Sequence, residues 1–582
     1  MDELKERIAR LSPERREILR RLAPDEYAAL VAAEAVGDAT ETRLTEIWSE
    51  VLGVPVRRDD NYFELGGDSI LSVSIVAKAR ASGMPLTPRL LFAHPSVALL
   101  AEALRREAGQ ELAGPASDGA APDAAPLTPL QQGMVFHSLH DAGNAAYVSQ
   151  LSCVLPETLD RQRVAEAWSQ VVRRHDVLRA AVDLSDPLVP RLRVHPDAAP
   201  VIEHRRLAGT TSEEIRRAMD AFLQADLERE FDLSSPPLMR LTLLGSERGE
   251  NRCVWTHHHL LLDGWSQLIV LQEFQALYLG AALPPVTTSF LEYATWLARQ
   301  GGDETERFWR DHLHGVAPTR LPRGPASGSA AGQASIVVRF DSRTLDPAAT
   351  AQRFRLSPAV LLEAAWALAL GVLADRRDVA FGLTATVRPA DLLDSDRVVG
   401  LCINTLPMRI AIATEGGVAD WLSSLQTTQR DWLHHAHASL PDALRWGQVP
   451  KDLFDTLLVF ENLPKLSGGD GTTPVHGMEE IRSTVREHYP MVLVATPGDP
   501  FVVELKYVPD AVSREQAELA MALFECALRA LTEAVDMAAV ATRLDAAARE
   551  RTQAARDQRT AEDRKRLLGA RRVPVSGDGS AS

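Results

Sequence analysis

The sequence predicts a multidomain chain: a small all-α four-helix bundle followed by a large two-lobed α/β unit. Three observations carry this. Residues 38–108 hold apolar faces at helical spacing. Residues 109–126, GQELAGPASDGAAPDAAP, lack apolar periodicity and read as a flexible linker. From 127 to 545, helical segments such as RVAEAWSQVVRRH alternate with strand-like runs such as RCVWTHHHLL, VAFGLTA and FVVELKYV. That span is too long for one ordinary core, so two lobes are expected.

The elements follow in order. Residues 1–37 form a charged helical lead-in. In TRLTEIWSEVLG, Leu44, Ile47, Trp48 and Val51 share one helix face. A loop with Pro55 follows, and Gly66-Gly67-Asp68-Ser69 opens a second helix carrying Ile70, Val73, Ile75 and Val76. VALLAEALRRE (97–107) is the last helix of the bundle. SFLEYATWLARQ, a Gly-Gly break and ERFWRDHL mark a crossing between a first lobe (127–297) and a second (298–545). The tail, 546–582, starts as an Arg-rich helical stretch and ends in SGDGSAS. From 551 onward it has eight basic and four acidic residues, which suits a solvated end or a docking element for an acidic partner.

Composition excludes several classes. The formal charge is −16, so the basic footprint of a nucleic-acid binder is missing. No run of 18 apolar residues suggests a membrane span. The first 25 residues are charged throughout and lack the apolar region of a signal peptide. A cytoplasmic location is the expectation. Cys153, Cys253, Cys402 and Cys526 are scattered, without a CxxC pair, and read as reduced core residues.

Two constellations carry chemistry. In FELGGDSI, two glycines permit a tight, open backbone before a helix. Ser69 at that helix start has an N-terminus that favours an attached anionic group. Taken alone, Asp68 or Ser69 simply caps the helix. The second is RCVWTHHHLLLDGWS. On a strand, His257 and His259 share one face and His258 takes the other. Imidazole titrates near neutrality, so general acid–base chemistry and stabilisation of developing charge both fit. Two histidines at i and i+2 also suit a metal, but no further ligand cluster is evident, and none is expected.

DNYFELGGDSILSVSIVAKAR, across 38–108, closely resembles the peptidyl carrier domains of nonribosomal peptide synthetases. The resemblance implies a 4′-phosphopantetheine arm on Ser69, whose thiol holds an aminoacyl or peptidyl thioester. His258-His259-Leu260-Leu261-Leu262-Asp263-Gly264 is similar to the HHxxxDG signature of condensation domains. LTPLQQGMVFHSL, ERFWRDHL, VVGLCINTLPMRI, DTLLVFENLP and HYPMVLVATPGDP extend that resemblance in order across 127–545. It implies two chloramphenicol-acetyltransferase-like lobes in a V. His259 would be the catalytic histidine, with His258 and Gly264 beside it. Asp263 would be structural, ion-paired to Arg179 of RRHDVLRA, and Asn404 would approach the reaction centre.

The implied reaction is amide formation between a donor thioester on the Ser69 arm and an aminoacyl group on a downstream carrier supplied in trans. Implied partners are a phosphopantetheinyl transferase and an adenylation domain or upstream module. LTPLQQGMVFH and VFENLP resemble the subclass taking a D-configured donor; no epimerase separates carrier and condensation units, so a donor D-configured by another route or an achiral one such as glycine fits. Val387 in TATVRP departs from the glycine the family more often has there. Heterocyclisation domains replace the histidines with aspartate. Epimerases follow HHxxxDG with a different order from Trp265-Ser266. The alternatives are an acyltransferase using a free CoA donor and an inactive scaffold that docks carriers.

Overall fold

The computed structural model describes residues 39–570 other than 68, 108–122, 141–146, 156–159, 210, 247–250, 322–332, 342, 390, 391, 393, 462–478 and 486–488. The lead-in, Asp68, most of the linker and residues 571–582 therefore lie outside the described residues.

Four helices form the small unit: Ala39–Leu52, Ser69–Ala81, Pro88–Ala93 and Val97–Glu107. Leu44, Ile47 and Trp48 of the first meet Ile75 and Val76 of the second, Leu91 of the third and Leu100 of the fourth. Thr87 starts the third helix by accepting the Leu90 amide, with Pro88 in the first turn. The loop before the second helix is anchored by Tyr62, whose ring stands edge-on to Trp48 at 5.4 Å. Gly67 lies against that ring, where a methyl group would sit 2.3 Å from it.

The large unit contains fourteen described strands: β1 (Ala124–Pro126), β2 (Val148–Leu155), β3 (Ala180–Asp183), β4 (Arg191–Val194), β5 (Val201–Arg206), β6 (Met239–Gly245), β7 (Asn251–His258), β8 (Ala334–Phe340), β9 (Asp378–Thr386), β10 (Ile403–Ala411), β11 (Thr456–Phe460), β12 (Glu479–Val485), β13 (Met491–Thr496) and β14 (Phe501–Tyr507). The first lobe is built on a sheet of order β12-β2-β7-β6-β5 and the second on β10-β9-β11-β13-β14-β8. A small sheet, β1-β4-β3, flanks the first lobe. Its edge corrects the linker reading, because Ala124–Pro126 pair with Arg191–Arg193 as a strand.

Core membership changes where two glycines break the chain. Phe290, Leu291 and Leu297 pack into the first lobe, and Trp309 and Leu313 into the second. Between them, Gly301 and Gly302 have φ of +120° and +138°, a region that favours glycine.

The lobes are not simply consecutive, which corrects the boundary at 297/298. Leu392, Val398, Val399, Leu401 and Cys402 return to the first lobe's core. Further on, β12 pairs antiparallel with β2 and covers what would otherwise be an open edge of the first sheet.

Cys153 and Cys253 stand opposite each other across β2 and β7, and all four cysteines are free. No single helix among the described residues is long and apolar enough to cross a membrane. One pair among the described residues, Pro347–Phe354 and Pro358–Ala374, is long and apolar enough when taken together but is bent by 104°. The second of these is buried through most of its length in the second lobe.

The return segment leaves no room at Gly400. A methyl there would lie 1.9 Å from the buried Phe290 ring. Gly400→Ala is expected to cost about 1–3 kcal/mol by overpacking, read as a lowered urea midpoint.

Candidate active site

The histidines lie where β7 ends. His258 is the last residue of the strand, and the chain then turns through Leu260–Leu262. Strand alternation therefore stops before His259, and the expected sharing of one face by His257 and His259 does not arise. His257 is fully buried beside Trp255, with ring centroids 5.1 Å apart. Its Nε2 has no hydrogen-bond partner among the described residues. Burial pushes its pKa down to about 3, so it is neutral at pH 7.

His258 is also buried. Its Nδ1 accepts the Leu260 amide at 3.2 Å, which leaves Nε2–H to donate to the Ser138 hydroxyl at 3.2 Å. Burial, together with the flanking histidines, lowers its pKa to about 3. It is thus a neutral buttress of the turn.

His259 differs from both. Its backbone amide donates to the Tyr147 carbonyl at 2.7 Å. Its Nδ1 lies 2.8 Å from the Leu262 carbonyl, so Nδ1 carries the proton and Nε2 is the free acceptor. Its side chain lines a cavity of about 880 Å³. Tyr147 lines it too, and holds a left-handed backbone at φ +62° to present that carbonyl.

The opening motif of the lobe secures the same turn. The Thr128 amide donates to Gln131 Oε1 at 2.9 Å, and Gln131 Nε2 donates to the Leu260 carbonyl at 2.8 Å. Ser138 belongs to the same helix, Pro129–His140. These contacts give LTPLQQGMVFHSL a physical role that its sequence alone did not reveal.

Asp263 caps the helix Gly264–Tyr278 by accepting the Ser266 amide at 2.7 Å. Its other oxygen accepts the Cys402 amide at 2.9 Å. Its ion-pair partner is Arg388, with Nη2 at 3.3 Å from both oxygens. This corrects the pairing with Arg179. Arg179 follows the helix Arg161–Arg174 and turns its Nε back to the Val172 carbonyl at 3.2 Å. The motif around it works elsewhere: His175 bonds Glu273 at 2.6 Å, and Asp176 accepts the Phe290 and Leu291 amides.

Arg388 is buried, as is Asp263. Its Nη1 donates to the Ser395 and Val398 carbonyls at 2.9 and 2.7 Å, and its Nη2 also reaches Ser266 Oγ at 2.9 Å. The guanidinium lies 4.9 Å from the Trp265 ring centroid. Arg388 stands in the TATVRP segment, yet nothing local in the sequence connects it to a residue 125 positions earlier.

The cavity has walls from both lobes. The first lobe supplies Met134, Tyr147, His259 and Gly264, and the second supplies Leu383, Thr405 and Asn404. Gly264 is exposed and adds no side chain to its wall. Asn404 reaches the cavity, but its Nδ2 donates to the Ala436 and Ala438 carbonyls at 2.8 and 2.7 Å. Its role there is to hold the loop after the helix Val418–His434. Glu363 also lines the cavity; burial lifts its pKa to about 8, outweighing the opposing hydrogen bond from Gln429. Among the described residues, Glu304, His434 and His435 are the one group of three potential metal ligands, and none lines the cavity.

Ser69 is the first residue of its helix. Gly66, three residues earlier, has φ +85° and open space where a side chain would stand. An unencumbered backbone there fits attachment of a phosphodiester-linked arm. The helix Ser69–Ala81 packs against the turn Ser395–Arg397, and Glu64 pairs with Arg355 at 2.6 Å. Thus the small unit rests on the segment whose carbonyls Arg388 binds.

Residues 121–544 match the condensation domain family, and residues 42–104 match the phosphopantetheine attachment site family. The chain belongs to the condensation domain family, with a carrier domain of the kind that takes covalent 4′-phosphopantetheine on a serine ahead of it. It is 34% identical over 417 residues to a linear gramicidin synthase polypeptide of Brevibacillus parabrevis, covering 70% of this chain and 8% of that one. It is 27% identical over 400 residues to bacitracin synthase 3 of Bacillus licheniformis, covering 66% and 6%. The chain thus spans less than a tenth of the length of these curated relatives. The condensation domain of the monacolin K polyketide synthase shares the fold, with a TM-score of 0.61 at 18% identity, covering 72% of this chain and all of that one. The X-domain from teicoplanin biosynthesis does so at 0.57 and 19%, covering 71% and 96%.

Two outcomes test this geometry. Arg388→Met leaves Asp263 buried without its cation and should cost about 3–5 kcal/mol in urea unfolding. The second concerns Glu363, which holds its proton in the folded state up to about pH 8 but, unfolded, only to about pH 4.3. Its contribution to stability is full at low pH and declines as pH rises through that window. The wild-type urea midpoint should therefore fall relative to that of Glu363→Gln between pH 5 and 8.

Proposed function

We propose that this chain forms amide bonds in nonribosomal peptide synthesis. The carrier presents a donor aminoacyl or peptidyl thioester, and the condensation domain joins it to an aminoacyl group on a downstream carrier. The observation that carries this reading is His259, whose Nδ1 is tied to the Leu262 carbonyl while its side chain lines a cavity walled by both lobes.

Ser69 is the attachment point for 4′-phosphopantetheine, which supplies the thioester when bound. The chain's own residues do the rest. His259 Nε2 accepts a proton from, or orients, the incoming amine. Asp263 and Arg388 hold the turn and do not act on substrate. The apolar walls exclude water that would hydrolyse the thioester. Confinement of both substrates in one cavity replaces a bimolecular encounter by an effectively unimolecular step.

The partners that follow are a phosphopantetheinyl transferase, an adenylation domain or upstream module that loads Ser69, and an aminoacyl carrier that accepts the chain. The donor subclass is the one ending in a D-residue, as LTPLQQGMVFH and VFENLP suggest, and the work is done in the cytoplasm.

The test is intact-mass spectrometry. Incubation with CoA and a broad phosphopantetheinyl transferase should add one phosphopantetheine, and Ser69→Ala should abolish the gain. With a synthetic donor loaded, His259→Ala should slow amide formation about 10²–10⁴-fold while leaving loading unchanged. Wild-type rates in His259→Ala would overturn the role of His259. Failure of a folded protein to take the arm would favour a free CoA donor.

A further inference from the structure

The helix Pro358–Ala374 is apolar except for one residue, Glu363. Glu363 is 1% exposed and sits at the cavity wall, one turn beyond Ala359, which also lines it. Its hydrogen bond among the described residues comes from Gln429 Nε2, at 2.5 Å to Oε1. Gln429 is itself buried and lines the same cavity. The second carboxyl oxygen and the Gln429 carbonyl oxygen are left without protein partners among the described residues.

A carboxyl held in an apolar helix with no cation against it is neutral at pH 7, consistent with its raised pKa. It then offers an O–H donor, and the Gln429 amide oxygen beside it offers an acceptor. A hydrocarbon group placed there strands both, at the full desolvation penalty of buried polar atoms. A group with its own donor and acceptor satisfies both. Such asymmetry makes a hydrogen-bonding site far more selective than an apolar pocket.

We propose that Glu363 and Gln429 form a selectivity site in the second lobe's wall that recognises a substrate side chain ending in a carboxamide over a hydrocarbon chain of the same shape. This rests on the reading of the cavity as the place where amide bonds form, and names the class of aminoacyl group it takes. The site faces the same cavity as His259 from the opposite lobe, so a substrate side chain in the cavity meets it while the reacting atoms meet the histidine.

The test uses the full chain and probes that cannot transfer an acyl group: glutaminyl- and homoleucyl-pantetheine amides, which differ only in the end of the side chain. Each is used with a free amine, as an acceptor mimic, and N-acetylated, as a donor mimic. Dissociation constants are measured by calorimetry. In at least one of the two forms the wild type should bind the glutaminyl probe about tenfold or more tightly than its homoleucyl match. Glu363→Gln should keep that preference within about threefold. Glu363→Leu should erase or reverse it. Gln429→Leu, which leaves the buried carboxyl in place, should weaken it and serves if Glu363→Leu does not fold. Equal binding of both probes in both forms would overturn the proposal, as would an unchanged preference in a folded Glu363→Leu. Tighter binding of a lysyl probe than the glutaminyl one would also overturn it, since the carboxyl would then serve a cation. No probe can react, so failure here leaves amide formation and its dependence on His259 untouched. A loss of condensation likewise leaves these constants standing.

Discussion

One buried guanidinium ties together segments that are far apart in the chain. Arg388 leaves the end of β9 in the second lobe and meets Asp263 at the turn that carries His259 in the first. The same side chain grips two carbonyls of the return segment, Ser395 and Val398. Removing one partner of such a pair leaves a charge in a dry interior, which is far costlier than the net worth of the pair itself. That penalty makes the arrangement all-or-none. The histidine turn, the return segment and the lobe contact stand or fall as a unit, and the carrier's helix rests on the outside of it.

His259 is aimed by backbone more than by side chains. Its amide is fixed by Tyr147 and its ring by Leu262, and the turn between is pinned by Gln131. Among the described residues no carboxylate bonds the ring, and Asp263 spends both oxygens on amides and Arg388. A carbonyl fixes the tautomer and the orientation of the ring without placing a full negative charge behind it.

Much of this was legible in the sequence where the cause is local. Three of the four carrier helices follow from short-range periodicity, and Val97–Glu107 has the bounds its apolar pattern marks. The histidine motif is likewise contiguous. What escaped depends on distant partners. Arg179 and Arg388 are indistinguishable as residue types, and only the fold decides which meets Asp263. Strand alternation misplaced His259 because the sheet ends one residue before it, a boundary set by pairing with Met239 and Val148. Ala124–Pro126 looks like linker because a proline-bearing edge strand needs no apolar pattern of its own.

The return of β12 to the first sheet bears on how the chain is made. β2 has β7 on one side, but its other neighbour lies more than 300 residues further on. At ribosomal rates of roughly 5–20 residues per second, that edge stays uncovered for on the order of tens of seconds during synthesis. Over that interval the first lobe displays an open row of backbone donors and acceptors, the kind of surface that recruits stray strands. Its polar residues, Ser149, Gln150 and Ser152, keep that nascent edge less sticky than an all-aliphatic strand would be. The last-made strand of the first sheet thus acts as the clasp that ends the vulnerable period and commits both lobes to one another.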